Sequence, residues 1–498
     1  MSARQYKRSI CRDRRAGVLL HPTSLPGSVG NGDFGHQAYR FIEWLNRCGF
    51  KVWQMLPLGP AHEDRSPYQC LSSHAGNPML ISLDWLKDRG WLKIEKFEGP
   101  AEAANDYRKR CLLKAADVFY GKADTYWQQR VRKFEEEHAS WLQDYSLYIA
   151  LKTRYENTPW FHWPAPLRHR DEPALDEARR ALKSDIRQTL FEQFVFYTQW
   201  QEIREYAKKH DVELFGDMPI FVAHDSADVW AQKDNFLIDE DGAMEVVAGV
   251  PPDAFSATGQ RWGNPLYDWE YMQNNSFDWW QQRFASQLKL FDMIRIDHFR
   301  GLQACWQIPG EDNTAINGCW VDVPGEEMLN TLFESFEHLP LIAEDLGLIT
   351  DEVIELKQKF ELPGMKVLQF AFDGNNRNPH LPHKQKPEDV IYSGTHDNDT
   401  TLGWARDTGN YNKPYLQDYL GCGELSAEET VDEVIRSAMA SVSFLCVLPM
   451  QDILMLDSSA RMNVPGTVED NWLWRFDWHQ LPVGSDEKYK HLMRLYQR

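Results

Sequence analysis

The chain has 498 residues, 43% of them hydrophobic, enough for a large core and incompatible with a disordered chain. Against 74 Asp+Glu there are only 54 Lys+Arg, giving a formal net charge of −20. That sign repels phosphate polymers and anionic lipid, so neither nucleic acid nor a membrane surface is an expected partner.

In chain order, the first segment is a basic arm, 1–16, with Arg4, Lys7, Arg8, Arg12, Arg14 and Arg15, read as a loose surface terminus. Eight short apolar runs follow, at 17–21, 52–58, 213–217, 291–297, 341–345, 366–372, 390–394 and 447–453. Continuous apolar runs are the signature of parallel strands buried on both faces. Helical patterns lie between them. At 36–48 Phe41, Ile42, Leu45 and Cys48 share one face, and the pattern stops at Gly49. Further helices are expected at 326–338, 351–360 and 427–445. Alternation of this kind predicts an α/β fold, a (β/α)₈ TIM barrel.

Two intervals are long. Residues 59–212 carry helical patterns of their own at 107–119 and 186–209, whereas 221–289 is rich in Gly, Pro, Asp and Trp. Both leave the barrel after strands two and three, at the face where such barrels hold their active sites. We therefore expect one catalytic domain over 17–498, with a mostly helical insertion at 59–212 and cleft-covering loops at 221–289.

The 20 Trp, 19 Tyr and 25 Phe are a heavy aromatic load for an acidic chain. Most of these rings are expected in the core, while rings in an open cleft suit ligands with apolar faces, sugars above all. The eight Cys include no C-x-x-C pair, which argues against a disulfide framework or a metal site and for a reducing cytoplasm. No apolar run approaches ~18 residues, and no signal-peptide core is recognisable.

Gly30, Gly32 and Gly35 match a dinucleotide fingerprint by spacing alone. Pro22 and Pro26 separate them from the preceding strand, and the next strand lacks a ribose-binding acid, so the glycines are read as shaping a loop. Asp239-Glu-Asp-Gly242 lacks the alternating ligands of a calcium loop and is read as a tight hairpin turn.

Three strand ends remain: Arg295-Ile-Asp297, Ala343-Glu344-Asp345 and Thr395-His396-Asp397. A carboxylate at a single strand end is ordinarily a cap or a surface group. Three at the ends of strands four, five and seven of one barrel converge on one mouth, and two flanking carboxylates are the minimum for glycosyl transfer. Arg295 lies two residues before Asp297, so their side chains point the same way. Its charge is expected to keep Asp297 ionised, as a nucleophile requires. Glu344, facing carboxylates in a dry cleft, is expected to hold its proton as a general acid.

The chain resembles the 4-α-glucanotransferases (amylomaltases, disproportionating enzymes) of glycoside hydrolase family 77. The resemblance runs from about Gly17 to the C-terminus and is carried by Leu20-His-Pro-Thr-Ser-Leu-Pro-Gly27, Trp53-Gln-Met-Leu-Pro-Leu-Gly-Pro60, Gly216-Asp-Met-Pro-Ile-Phe-Val-Ala223, Gly259-Gln-Arg-Trp-Gly-Asn-Pro265, Arg295-Ile-Asp-His-Phe-Arg-Gly301, Ala343-Glu-Asp-Leu-Gly347, Gly394-Thr-His-Asp-Asn-Asp-Thr400 and Arg461-Met-Asn-Val-Pro-Gly466. It implies retaining transfer of α-1,4-glucan segments to the 4-hydroxyl of an acceptor, through a covalent glucosyl-enzyme intermediate. Malto-oligosaccharides and α-1,4-glucans are then the partners, and neither cofactor nor metal is implied.

By motif, the resemblance makes Asp297 the nucleophile, Glu344 the acid and then the base, and Asp397 the stabiliser of the distorted sugar. It puts Tyr68, Asp217, Arg295 and His396 in the donor subsite and Asp253 and Trp262 on a loop over the cleft. Asp373 and Asn463 match positions near bound glucan. Where the family often reads Gly-Asp-Ser-Pro-Tyr this chain has Asp64-Arg65-Ser66-Pro67-Tyr68, beside the glucan path. Two alternatives remain open: an α-1,4-glucan hydrolase using the same carboxylates, and a non-catalytic glucan-binding protein, against which the three intact carboxylates argue.

Overall fold

A computed structural model describes residues 10–11, 13–94, 96–253, 256–407, 409 and 411–498. Arg4, Lys7, Arg8 and Arg12 of the basic arm, and Phe255 of the expected cleft cover, lie outside the described residues. The eight expected strands all form. They are β1 (Arg15–Leu19), β2 (Val52–Gln54), β3 (Glu213–Met218), β6 (Met293–Ile296), β9 (Leu341–Ala343), β10 (Met365–Val367), β11 (Val390–Tyr392) and β12 (Leu445–Pro449). Every neighbouring pair is parallel, in the order β10-β11-β12-β1-β2-β3-β6-β9. Across the seam between β9 and β10 the Ala343 N–H donates to the Pro363 carbonyl at 2.8 Å, nearly closing a (β/α)₈ barrel.

The boundaries differ from the sequence reading for local reasons. β1 begins at Arg15, inside the segment expected as an arm, because Arg15 registers with Leu445. The helix expected at 427–445 ends at Ala440, where Ser441 turns to extended backbone and frees Leu445 to pair with β1 and β11. The run at 447–453 is strand only to Pro449, after which Met450–Ile453 forms a helical turn. Likewise 366–372 leaves the sheet after Val367 and enters a 3₁₀ turn over Leu368–Phe370.

Between β2 and β3 the chain builds helices at Ala104–Lys122, Thr125–Glu137, Ala139–Arg154 and Lys183–Lys209. The segment 221–289, read from composition as loops, is more ordered than that. It supplies β4 (Val246–Val250), β5 (Gln260–Pro265) and the helix Asp278–Leu290 that leads into β6. β4 and β5 join β7 (Ala304–Pro309) and β8 (Cys319–Asp322), which follow β6, in an antiparallel sheet of order β5-β4-β7-β8. The sequence reading missed this sheet, because its two halves lie on either side of a barrel strand and their residues alternate poorly.

The turn at 239–242 forms, with Gly242 at φ 86° against Trp160, where a Cβ would come within 2.4 Å of the ring. It is not a hairpin between mutually paired strands: Phe236 bridges to Tyr267, and β4 pairs with β5 and β7. Gly32 serves the loop after β1, since a Cβ there would lie 2.1 Å from the Pro22 carbonyl oxygen. Much of the aromatic load is core, as expected: Trp44, Trp53, Trp160, Trp163, Trp200, Trp230 and Trp280 are all fully buried.

Candidate active site

The site is assembled by strand register. Asp217 on β3 sits opposite Arg295 on β6, so a carboxylate and a guanidinium meet at the top of the barrel. Arg295 donates through Nη1 to Asp217 Oδ2 and through Nη2 to Asp297 Oδ1, the latter at 2.8 Å. One fork thus spans two carboxylates, which a lysine could not do with fixed geometry. The Asp297 N–H donates to the Met218 carbonyl at 3.0 Å, extending the β3–β6 ladder one step past the named strand.

Glu344 follows β9 directly. Its N–H donates to the Ile296 carbonyl at 3.0 Å, so the acid is carried beside the nucleophile strand. Its carboxylate accepts from two backbone donors, the His298 N–H at 2.7 Å and the Leu346 N–H at 2.8 Å. His298 has left-handed backbone (φ 48°, ψ 53°), a strained conformation for a residue with a Cβ, and strain of this kind concentrates at functional sites.

The seventh barrel strand brings the third group. His396 and Asp397 follow β11, and Asn463 Nδ2 donates to Asp397 Oδ1 at 2.6 Å. Arg461 donates to the Asp397 carbonyl at 2.6 Å and to the Asn463 carbonyl at 2.7 Å, tying the loop after β12 to the end of β11. The Tyr68 hydroxyl lies 2.7 Å from Asp217 Oδ2 and 2.8 Å from His396 Nε2. The Tyr68 and His396 rings are nearly parallel, at 16°.

Asp217, Tyr68, Arg295, Asp297, His396, Asp397 and Asn463 therefore form one connected network, with Glu344 against its edge. Trp262, on β5, reaches the network through His298, its ring edge-to-face at 4.8 Å and 87°. Two expected residues stay apart from it. Asp253 is exposed and accepts the Ser256 N–H at 2.8 Å, and Asp373 is exposed and accepts the Asn375 N–H at 2.8 Å. Both shape turns on rim loops.

Burial dominates the proton affinities. It pushes Asp297 up to about 6, Arg295 opposing the rise while Asp217 and Asp397 add to it. Arg295 thus favours the ionised carboxylate, as its spacing from Asp297 leads one to expect, while the cost of removing water and the other acids nearby still carry the carboxyl above its ordinary range. Solvent still reaches 27% of the Asp297 side chain. Glu344 is pushed higher, to about 7, by burial and by Asp297, against Arg295 and its two N–H donors. Burial also raises Asp217 and lowers His396, with Asp397 opposing the fall in the histidine. The pair thus stands in the order a nucleophile and an acid need.

Four residues at the site escaped the sequence reading. His298 carried a signal, since it follows Asp297 immediately, and Arg461 shares a motif with Asn463. Trp472 lies 6.0 Å from Tyr68 and 6.1 Å from His396, ring to ring, and nothing in its surroundings in sequence marks it. His21 is buried behind His396, lowered to about 3 by burial and then by His396. Among the described residues, no group of three or more His, Cys, Asp or Glu is disposed to hold a metal ion.

A family model described as 4-α-glucanotransferase, glycoside hydrolase family 77, matches residues 20–480. The 4-α-glucanotransferase of Thermus thermophilus is 46% identical over 473 residues, covering 93% of this chain and 94% of that protein. The chloroplastic/amyloplastic 4-α-glucanotransferase of Solanum tuberosum is 41% identical over 475 residues, covering 93% of this chain and 82% of that one. Among solved structures, an amylomaltase from Streptococcus agalactiae in complex with acarbose superposes with a TM-score of 0.93 at 35% identity, over 97% of this chain and 99% of that one.

Proposed function

The chain belongs to the 4-α-glucanotransferases of glycoside hydrolase family 77, and from that premise we propose how its residues divide the work. The reaction is retaining transfer of α-1,4-glucan segments between malto-oligosaccharides. The observation that carries our assignment is the paired environment of Asp297 and Glu344: two half-buried carboxyls directly after adjacent strands, Asp297 bound by Arg295 and Glu344 by two backbone N–H groups, with the proton held more tightly on Glu344.

In the first half-reaction, Glu344 gives its proton to the glycosidic oxygen while Asp297 attacks the anomeric carbon, and the reducing-end fragment departs. Arg295 holds the attacking carboxylate in aim through its bond to Oδ1. In the second, Glu344 takes the proton of the acceptor 4-hydroxyl, which displaces Asp297 with overall retention. Asp397, held by Asn463, is placed to grip the hydroxyls of the distorted sugar. Tyr68, Asp217 and His396 form the wall that fixes Arg295 and receives the donor sugar. Trp262 we assign to the cleft cover, with Asp253 shaping its loop, and Asp373 to the outer glucan path.

We further read 17–498 as one catalytic domain and place the protein in the cytoplasm, supported by free cysteines among the described residues and by no helix there being long and apolar enough to cross a membrane. The testing experiment is incubation with maltotriose, with products resolved by length and reducing ends counted. Glucose plus a ladder of longer maltodextrins at constant reducing ends is the expected result. Rising reducing ends with only shorter products would replace transferase by hydrolase.

A further inference from the structure

We infer that Arg300 is a positioning residue for the acid–base carboxyl, acting through the two loops whose backbone N–H groups hold Glu344. This rests on the assignment of Glu344 made above. The two donors, His298 and Leu346, belong to different loops, one after β6 and one after β9. Arg300 stands on the first loop and donates through Nη1 to the carbonyl of Leu348 on the second, at 2.7 Å. It is therefore a direct strap between the carriers of the two donors.

The strap is built rather than incidental. Arg300 is only 6% exposed, and its guanidinium lies over the Trp320 ring of β8, 3.7 Å from the centroid. Stacking fixes the plane of the fork, so little freedom is lost in making the bond to Leu348. Leu346 and Ile349 of the second loop pack on the core, but the tip between them is open. Leu348 is 63% exposed, and Gly347 is left-handed (φ +81°) with no heavy atom within 4 Å of a Cβ built there. Its far side is pinned at Asp345, which binds Lys357 and accepts the Met365 N–H. The first loop contains His298, whose left-handed backbone needs restraint from its surroundings. Arg300 restrains both. Glu344 must aim at a glycosidic oxygen and then at an acceptor hydroxyl, so the placement of its two donors sets both its direction and its hold on the proton.

The test compares two donor–acceptor pairs on Arg300→Met and Arg300→Lys. Maltotriose alone needs Glu344 as acid and as base. α-Maltosyl fluoride with azide needs neither: the Asp297–C1 bond forms as fluoride leaves with the C–F electron pair. An azide nitrogen then displaces Asp297 to give α-maltosyl azide, and no proton moves. Arg300→Met should lose ~10–100-fold on maltotriose, in the range of acid–base effects, and stay within ~3-fold of wild type on the fluoride–azide pair. Its basic limb of kcat/KM against pH should move to higher pH, because loosened N–H donation disfavours the ionised carboxyl. Arg300→Lys, which can still reach Leu348 with one donor, should recover part of the loss.

Equal losses on both pairs would overturn the proposal, making Arg300 merely structural. So would an unmoved pH limb with maltotriose turnover within ~3-fold of wild type. If Arg300→Met does not fold, Trp320→Ala removes the stack and should show the same pattern at smaller size. Glu344→Ala, run in parallel, should be rescued by the fluoride–azide pair. Failure of that rescue would overturn the Glu344 assignment and this proposal with it, whereas rescue of Glu344→Ala without rescue of Arg300→Met overturns the strap alone.

Discussion

The floor of the cleft and its rim are built on different physics. On the floor, Asp217, Arg295, Asp297 and Glu344 sit on or directly after parallel strands, and hydrogen-bond register decides which side chains meet. On the rim, Trp262, Asp253, Asp373 and Asn463 sit on β5 or on loops, placed by turns and by contacts across long sequence gaps. The floor carries enclosed charge whose every neighbour matters, because low-dielectric surroundings amplify each interaction. The rim carries shape and water exclusion, where single contacts count for less. Chemistry on the floor and selection of the nucleophile's partner on the rim are the division this contrast suggests.

The largest expected effect breaks the floor. Asp297→Asn keeps shape and removes the nucleophile, so turnover of maltotriose should fall by ~10⁴-fold or more, with glucan binding still measurable by calorimetry. Turnover above about a hundredth of wild type would break the nucleophile assignment.

The second prediction concerns pH. Asp297 must be ionised and Glu344 protonated for the first half-reaction. Activity is therefore lost as pH falls through about 6, where Asp297 takes a proton, and as pH rises through about 7, where Glu344 loses one. The kcat/KM profile should be a narrow bell, its apparent values belonging to the pair rather than to either group. Arg295→Met removes the charge that opposes the rise in both Asp297 and Glu344, so both limbs, the acid limb included, should move to higher pH. An acid limb that stays in place would show that the guanidinium orients the nucleophile without setting its proton affinity.

How much of this was legible in the sequence follows the same division. Arg295 and Asp297 could be placed side by side from the two-residue period of a strand, and the apolar runs were enough for eight strands. The partner across the ladder could not: that Asp217 meets Arg295 depends on β3 lying beside β6, a fact of topology. The raised Asp297 likewise needed burial and the neighbouring acids, which no local window contains. The antiparallel sheet was hard to see because β5 reads Gln-Arg-Trp-Gly-Asn-Pro, with neither alternation nor a continuous apolar run, and β8 offers only the short run Cys-Trp-Val before Asp322. Arg461 and Trp472 reach the site from the loop after β12, where spacing carries no periodic signal at all.

A smaller effect is expected where rim meets floor. Asn463 makes one short bond to Asp397, a charge-assisted contact whose loss leaves a carboxylate less well aimed. Asn463→Ala should lower kcat/KM for maltotriose by ~10-fold, about the size of one such bond, and leave both limbs of the pH profile in place. A loss as large as that of Asp297→Asn would move Asn463 into the floor.

The smallest effect on rate is the one that bears most on function. A transferase must let a sugar hydroxyl reach the glucosyl intermediate ahead of water, although water is far more concentrated. The cover over the cleft has to lower the chance that a water stands at the attacking position. Trp262 is the rim residue best placed for this. Its ring meets His298 edge-on, His298 holds Glu344 through its N–H, and Glu344 is the base that would activate either acceptor. Trp262→Ala removes the ring without touching a carboxylate, so intermediate formation should change by less than ~10-fold. The ratio of new reducing ends to transfer products from maltotriose should nevertheless rise several-fold, because water gains access that a sugar acceptor already had. An unchanged ratio would assign water exclusion to other parts of the cover, and a collapse of both reactions would mean that Trp262 supports His298, and hence the acid, instead of guarding the intermediate.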